Sequence, residues 1–191
     1  MGFSWKKLWK FIWHDDSVLS WIFDVIIAFV LVKFIIYPLL GMMLSTSYPI
    51  VAVVSNSMEH EGSFNDWWSQ QSSWYEANGF TEEQVKSWKF HNGLNKGDIM
   101  VLRGKEFSKI EKGDIIVFNG NSDNPIIHRV VNIGDAGLST KGDNNADSFP
   151  ALGEVNIQKN RVLGIAVFRI PFLGWIKIWA VDIVKAIIGG N

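Results

Sequence analysis

From Val25 to Leu44 the chain reads VIIAFVLVKFIIYPLLGMML, twenty residues in which Lys33 is the single charge. Wound into an α-helix at ~1.5 Å per residue, this run is about 30 Å long, the hydrocarbon thickness of a bilayer. A cleaved signal peptide has a shorter apolar region ending at a small-residue cleavage site. A buried helix of a soluble protein needs more of a polar face. The run therefore predicts a transmembrane helix over residues 21–45. Lys33 and Pro38 argue against an uninterrupted span, and Lys33 is expected to face a partner helix or a polar defect. Ahead of the run stand Lys6, Lys7 and Lys10, with Trp5, Trp9, Trp13 and Trp21 suited to the headgroup layer. Asp15, Asp16 and Asp24 weigh little in the positive-inside rule, so residues 1–20 are predicted to be cytoplasmic and everything beyond Leu44 to lie on the outer side.

The rest of the 191 residues has room for one compact domain, not two. Within residues 46–169, short β-branched runs recur between Gly, Asn and Asp: YPIVAVV at 48–54, IMVL at 99–102, IIVF at 115–118, IIHRVV at 126–131 and VLGIAVF at 162–168. This spacing predicts a mainly β fold, a twisted sheet or partly closed barrel. KGDI occurs twice, from Lys96 and from Lys112, each time as a turn opening a strand, with Gly supplying φ > 0 and Asp capping. Residues 60–95 break the pattern. They are polar, acidic and rich in tryptophan (Trp67, Trp68, Trp74 and Trp88), and predict an inserted helical hairpin. Thr81 followed by Gln84 has capping-box spacing and predicts a helix from about Glu82 to Phe90. The tryptophans suit a membrane interface or the edge of a peptide cleft, and equally a satellite hydrophobic cluster. Residues 170–189, behind Pro171, predict a second membrane helix or an interfacial one. On a helical wheel Lys177, Lys185 and Asp182 share an arc of about 140°, which leaves a broad apolar face.

Eighteen basic against nineteen acidic residues leave no excess charge to attract nucleic acid. The absence of cysteine excludes disulfides, thiolate metal sites and a cysteine nucleophile. His60-Glu61 lacks the second histidine that a zincin helix places four residues on, and no other His/carboxylate pair has ligand spacing, so no metal or cofactor is expected. Of the four histidines, His14 falls on the inner side, His60 and His91 bracket the insert, and His128 interrupts an apolar strand beside Arg129. A serine mechanism needs a hydroxyl, a base, an orienting acid and oxyanion donors. Ser57 in VVSNSMEH, His128 and an aspartate from KGDNNADS (141–148) are candidates, although Gly-Asp-Asn-Asn is also an ordinary turn sequence.

SNSM at 55–58 shortly after an apolar span, the two GDI runs, IIHRVV at 126–131 and KGDNN at 141–145 occur in the order found in type I signal peptidases. The chain resembles the archaeal and endoplasmic-reticulum type, in which histidine replaces the bacterial lysine, over about residues 25–170. The resemblance implies Ser57 as nucleophile, His128 as general base and Asp143 as the aspartate of the Gly-Asp-Asn box. It also implies that the Ser55 hydroxyl joins the Ser57 backbone N–H in an oxyanion hole. Three departures stand out: His60 replaces the proline usual after SME, the insert lengthens the link to the first GDI, and the second aspartate expected after Gly-Asp-Asn is shifted, with Asp147 the nearest. Lys141 is a rival base beside the same box.

The function so implied is that of a membrane-bound serine endopeptidase removing signal peptides from secreted preproteins, with small residues preferred at the first and third positions before the cut. Strands near 50–54 and 99–102 are expected to line the pockets by β-addition of the substrate. The implied partners are signal peptides, the lipid bilayer and the protein translocation channel. An archaeal cell membrane is favoured over the endoplasmic reticulum. A non-catalytic peptide-binding β module and a self-cleaving serine protease of related fold are the alternative readings.

Overall fold

A computed structural model of the chain describes Trp9, residues 17–122 and residues 124–188. Lys6, Lys7, Lys10, Trp5, Trp13, His14, Asp15 and Asp16, on which the orientation argument rests, lie outside the described residues, as do the side chains of Lys177 and Lys185. The chain divides into two units, Met1–Met43 and Leu44–Asn191.

In the first unit, Ser17 caps a helix by accepting the Ser20 N–H (3.2 Å). The helix runs on for 27 residues, Val18–Leu44, long and apolar enough to cross a membrane. Helix α1 (Val18–Leu31) continues through a π-helical segment (Val32–Ile36) into α2 (Tyr37–Leu44). The π segment meets the problem posed by Pro38, whose ring lacks an N–H and crowds the preceding turn. Widening that turn so that Tyr37 N–H reaches Val32 O lets the helix continue without a break. The Lys33 ammonium lies 5.5 Å from the ring centres of both Phe29 and Phe34, so its charge is met within its own helix.

The second unit is built on six antiparallel strands: β1 (Ile50–Ala52), β2 (Ile99–Arg103), β3 (Ile115–Phe118), β4 (Ile126–Gly134), β5 (Gly137–Lys141) and β6 (Val162–Ile170). Their order across the sheet is β1-β2-β6-β3-β4-β5, with register shifts at Val101/Leu102, Val117/Phe118 and Val130/Asn132 that curl the sheet into a half-barrel. The mainly β expectation is met. Central strand β3 is buried at all four residues, which explains why IIVF is continuously apolar. Ile115 and Val117 pack with Val53, Met58, Leu94, Met100, Leu102 and Ala166, while Ile116 and Phe118 pack on the other face with Ile110, Val130, Leu138, Ile157 and Ile165. Both KGDI runs are strand-opening turns, with φ of +91° at Gly97 and +95° at Gly113. Each aspartate closes its turn: Asp98 accepts from Asn95 N–H (2.9 Å) and Asp114 from Glu111 N–H (3.0 Å).

The insert contains α3 (Phe64–Ala77) and α4 (Glu82–Lys86). A full capping box, Ser63 with Asp66, opens α3, and the Thr81 hydroxyl accepts Gln84 N–H at the start of α4 (3.3 Å). The second helix stops four residues short of the expected Phe90. There the chain turns through Phe90 (φ +55°) to present the Lys89 and Phe90 carbonyls to Arg129. Of the readings open for the tryptophans, the satellite cluster holds. Trp67 and Trp68 are buried with Phe64, Tyr75, Phe80 and Val85 against Val131 of β4, and Trp74 and Trp88 pack on them half-buried.

At the C-terminal end, Ile170 closes β6, and Pro171–Gly174 turn back so that Gly174 N–H reaches Gly97 O (2.7 Å). Helix α5 therefore begins at Trp175 and covers Trp175–Ile188. Its fourteen residues rise about 21 Å, short of the ~30 Å hydrocarbon layer.

Candidate active site

The segment after β1 carries the nucleophile candidate on a tight turn, and one distant segment, KGDNN, grips that turn. Glu59 N–H bonds Asn56 O (3.0 Å), Asn144 N–H bonds Ser57 O (2.8 Å) and Asn144 Nδ2 bonds Asn56 O (3.3 Å). A Cβ on Gly142 would lie 2.7 Å from Ser57 O, so the approach of KGDNN to the serine turn requires glycine there. KGDNN thus cradles the backbone of the serine turn.

His128 comes from β4, where alternation sends it and Arg129 to opposite faces. Its Nε2 lies 2.9 Å from Ser57 Oγ, and its Nδ1 is bonded to a carboxylate oxygen of Glu154. A carboxylate accepts only, so Nδ1 carries the proton, and the Ser57 hydroxyl donates to the free lone pair of Nε2. Ser55 Oγ lies 3.0 Å from Ser57 Oγ. Ser57 and His128 open onto a cleft of about 390 Å³ whose walls include Ala52, Val54, Ile126, Phe149 and Leu152. The strand near 50–54 contributes to this lining, and β2 does not.

Asp143, expected beside His128, lies elsewhere. Its carboxylate is fully buried and takes two hydrogen bonds from Arg129, Nε to Oδ1 (2.8 Å) and Nη2 to Oδ2 (2.6 Å), and a third from His60 Nε2 (3.1 Å). Burial by itself would raise this carboxyl. The Arg129 charge and hydrogen bonds, joined by those of His60, override burial and hold it well below the usual carboxylate range. Arg129 spends its remaining N–H groups on the carbonyls of Lys89 (3.1 Å), Gly113 (3.0 Å) and Phe90 (3.0 Å). His60, the residue standing where proline is usual, stacks on Trp67 with ring centres 3.9 Å apart, and Trp67 Nε1 donates to Asp143 O (2.9 Å). Asp143 thus joins the serine turn, the insert and β4, and both nitrogens of His128 are already taken by other groups.

Asp147 is exposed and accepts from Trp74 Nε1 (2.8 Å) and Ser148 N–H (2.7 Å). Lys141, the rival base, donates to Gln71 Oε1 (3.1 Å) and Gly142 O (3.2 Å), and Ser57 is not among its partners. Burial lowers the Lys141 ammonium to about 8.

Glu154, missed in the sequence, is buried, and its second oxygen accepts Phe149 N–H (2.6 Å). The signal for it was present, since Glu154 is the single charged residue between Asp147 and Lys159. No cluster of metal-ligating side chains occurs among the described residues.

A serine hydroxyl on an imidazole nitrogen, with a carboxylate on the other nitrogen and an apolar cleft alongside, is the arrangement of serine-type acyl-transfer enzymes. No family model matches the chain. Among curated proteins it is similar to the signal peptidase complex catalytic subunit SEC11 of Sclerotinia sclerotiorum, with 36% identity over 103 residues. It is 32% identical to SEC11 of Chaetomium globosum and 31% to that of Verticillium alfalfae over the same length. Each match covers 49% of this chain and 60% of the relative, so the chain spans about three fifths of the length of the curated relatives it matches. The resemblance to the endoplasmic-reticulum type of signal peptidase, carried in the sequence by four ordered motifs, is thus found again in curated relatives.

Proposed function

We propose that the chain is a membrane-bound serine endopeptidase that cleaves signal peptides from preproteins, with Ser57 as nucleophile and His128 as general base. The observation that carries this reading is the 2.9 Å contact between Ser57 Oγ and His128 Nε2 at an apolar cleft. Ser57 Oγ attacks the scissile carbonyl while Nε2 takes its proton. The tetrahedral intermediate collapses to an acyl-enzyme as the imidazolium protonates the leaving amine. Water, deprotonated by the same nitrogen, then releases the acyl group. The Ser57 backbone N–H, which bonds no other described group, and the Ser55 hydroxyl are the oxyanion donors in this scheme.

The apolar Val18–Leu44 helix is the anchor, with the second unit on the outer side. Substrate would enter as an extended segment along β1, at the edge of the sheet, with small side chains facing Ala52 and Val54.

The test is cleavage of a preprotein by the detergent-solubilised full chain. Ser57→Ala and His128→Ala are each expected to lower kcat at least 10³-fold. Wild-type-like turnover in either variant refutes the assignment.

A further inference from the structure

We infer that Glu154 is the residue that positions His128, so that the site is a Ser57–His128–Glu154 triad. This rests on the proposed serine mechanism and adds an acid that the motif resemblance places elsewhere. Three carboxylates compete for the role, and the partners of each decide among them. Asp143 is neutralised by the two-pronged Arg129 contact and shared with His60. Asp147 lies on the surface, bonded to an insert tryptophan. Glu154 is wholly buried and has no lysine or arginine partner within ion-pair distance among the described residues. One of its oxygens is on His128 Nδ1 and the other on Phe149 N–H. Among the described residues, His128 is therefore the one side chain that meets this carboxylate at hydrogen-bond distance.

Two consequences follow from chemistry alone. An acceptor-only carboxylate on Nδ1 keeps the proton there, so Nε2 stays free to receive the Ser57 proton. When Nε2 takes that proton, the imidazolium forms against a buried anion that is already in place. Glutamate suits the position because the segment bearing it is set back from β4. That segment is a 3₁₀ turn, Pro150–Leu152, ending at Gly153 with φ +77°, and it is held to β5 by Thr140 N–H on Glu154 O (2.9 Å). Phe149 and Leu152 of the same turn wall the cleft, so the stretch that holds the acid also faces the substrate.

The experiment uses the full chain in detergent micelles, wild type and variants, with ¹⁵N-histidine labelling. In the wild type the His128 nitrogen shifts should report the Nδ1–H tautomer. Glu154→Gln presents an amide that can donate to Nδ1, so the Nε2–H tautomer should grow, kcat should fall roughly 10³- to 10⁴-fold and KM should change less than about threefold. Glu154→Asp should recover part of kcat, and Asp147→Asn should stay within about threefold of wild type. An Nε2–H tautomer in the wild type overturns the inference, a reading that holds even if Glu154→Gln does not fold. So does a folded Glu154→Gln that keeps more than a tenth of wild-type kcat. If wild-type protein cleaves no preprotein, the peptidase reading fails separately, and the tautomer still decides whether Glu154 sets His128.

Discussion

Arg129 and His128 are neighbours in sequence with opposite tasks, and the strand's period of two separates them. His128 faces the cleft, while Arg129 faces the insert and satisfies all its donors on Asp143 and three carbonyls. The sequence made Ser57 and His128 recognisable through the motifs that surround them. For the acid, the motif resemblance points to Asp143, whereas the inferred triad takes Glu154, a glutamate that belongs to no motif. Which carboxylate reaches Nδ1 depends on the path of residues 149–154, and no local pattern encodes that path. Lys141 supplies a pH prediction at this scale. Burial holds it at about 8 in the fold, whereas the unfolded chain restores a value near 10.4. Between these values the unfolded state binds more protons, so stability rises with pH across the window and the penalty is complete below it. The gain is at most about 3 kcal/mol. Urea unfolding at pH 7.5 to 10.5 is expected to show this rise in the wild type and to lose that component in Lys141→Met; equal slopes would contradict it.

Among the elements, the KGDI turns, β3, and the starts of β2, β4 and β6 were legible because each pairs an apolar run with turn chemistry. Strand β5, GLSTK, was not: it is short, mixed in polarity and opens with glycine at φ +130°. The C-terminal helix was set too early because Pro171 resembles a helix start, whereas here it follows the last strand residue. The insert's tryptophans illustrate the limit of composition, since a ring that suits an interface also suits a small core. Their packing makes the insert a brace for the serine turn, through Trp67 on His60 and on Asp143 O. Trp67→Phe keeps an aromatic ring and removes the N–H donor. It is expected to cost about 1–2 kcal/mol in chemical denaturation, from the lost hydrogen bond to Asp143 O and the lost packing. Unchanged stability would show that the insert does not brace the turn.

At the scale of the whole molecule, the class of the fold was legible and its topology was not. Strand β6, last in sequence, lies between β2 and β3, a pairing that depends on long-range register. The site needs that arrangement, for Ser57 follows β1, His128 lies in β4 and Glu154 precedes β6. The membrane-length helix was plain from hydropathy alone, and its π segment follows from a single proline. The central claim is that Ser57 forms the acyl bond. Its most direct measurement is mass spectrometry of the full chain, quenched during turnover of an activated peptide ester. The account predicts the acyl mass on the peptide containing Ser57 and its loss in Ser57→Ala. Substrate cleavage with no acyl group on Ser57, or cleavage that persists in Ser57→Ala, would contradict it.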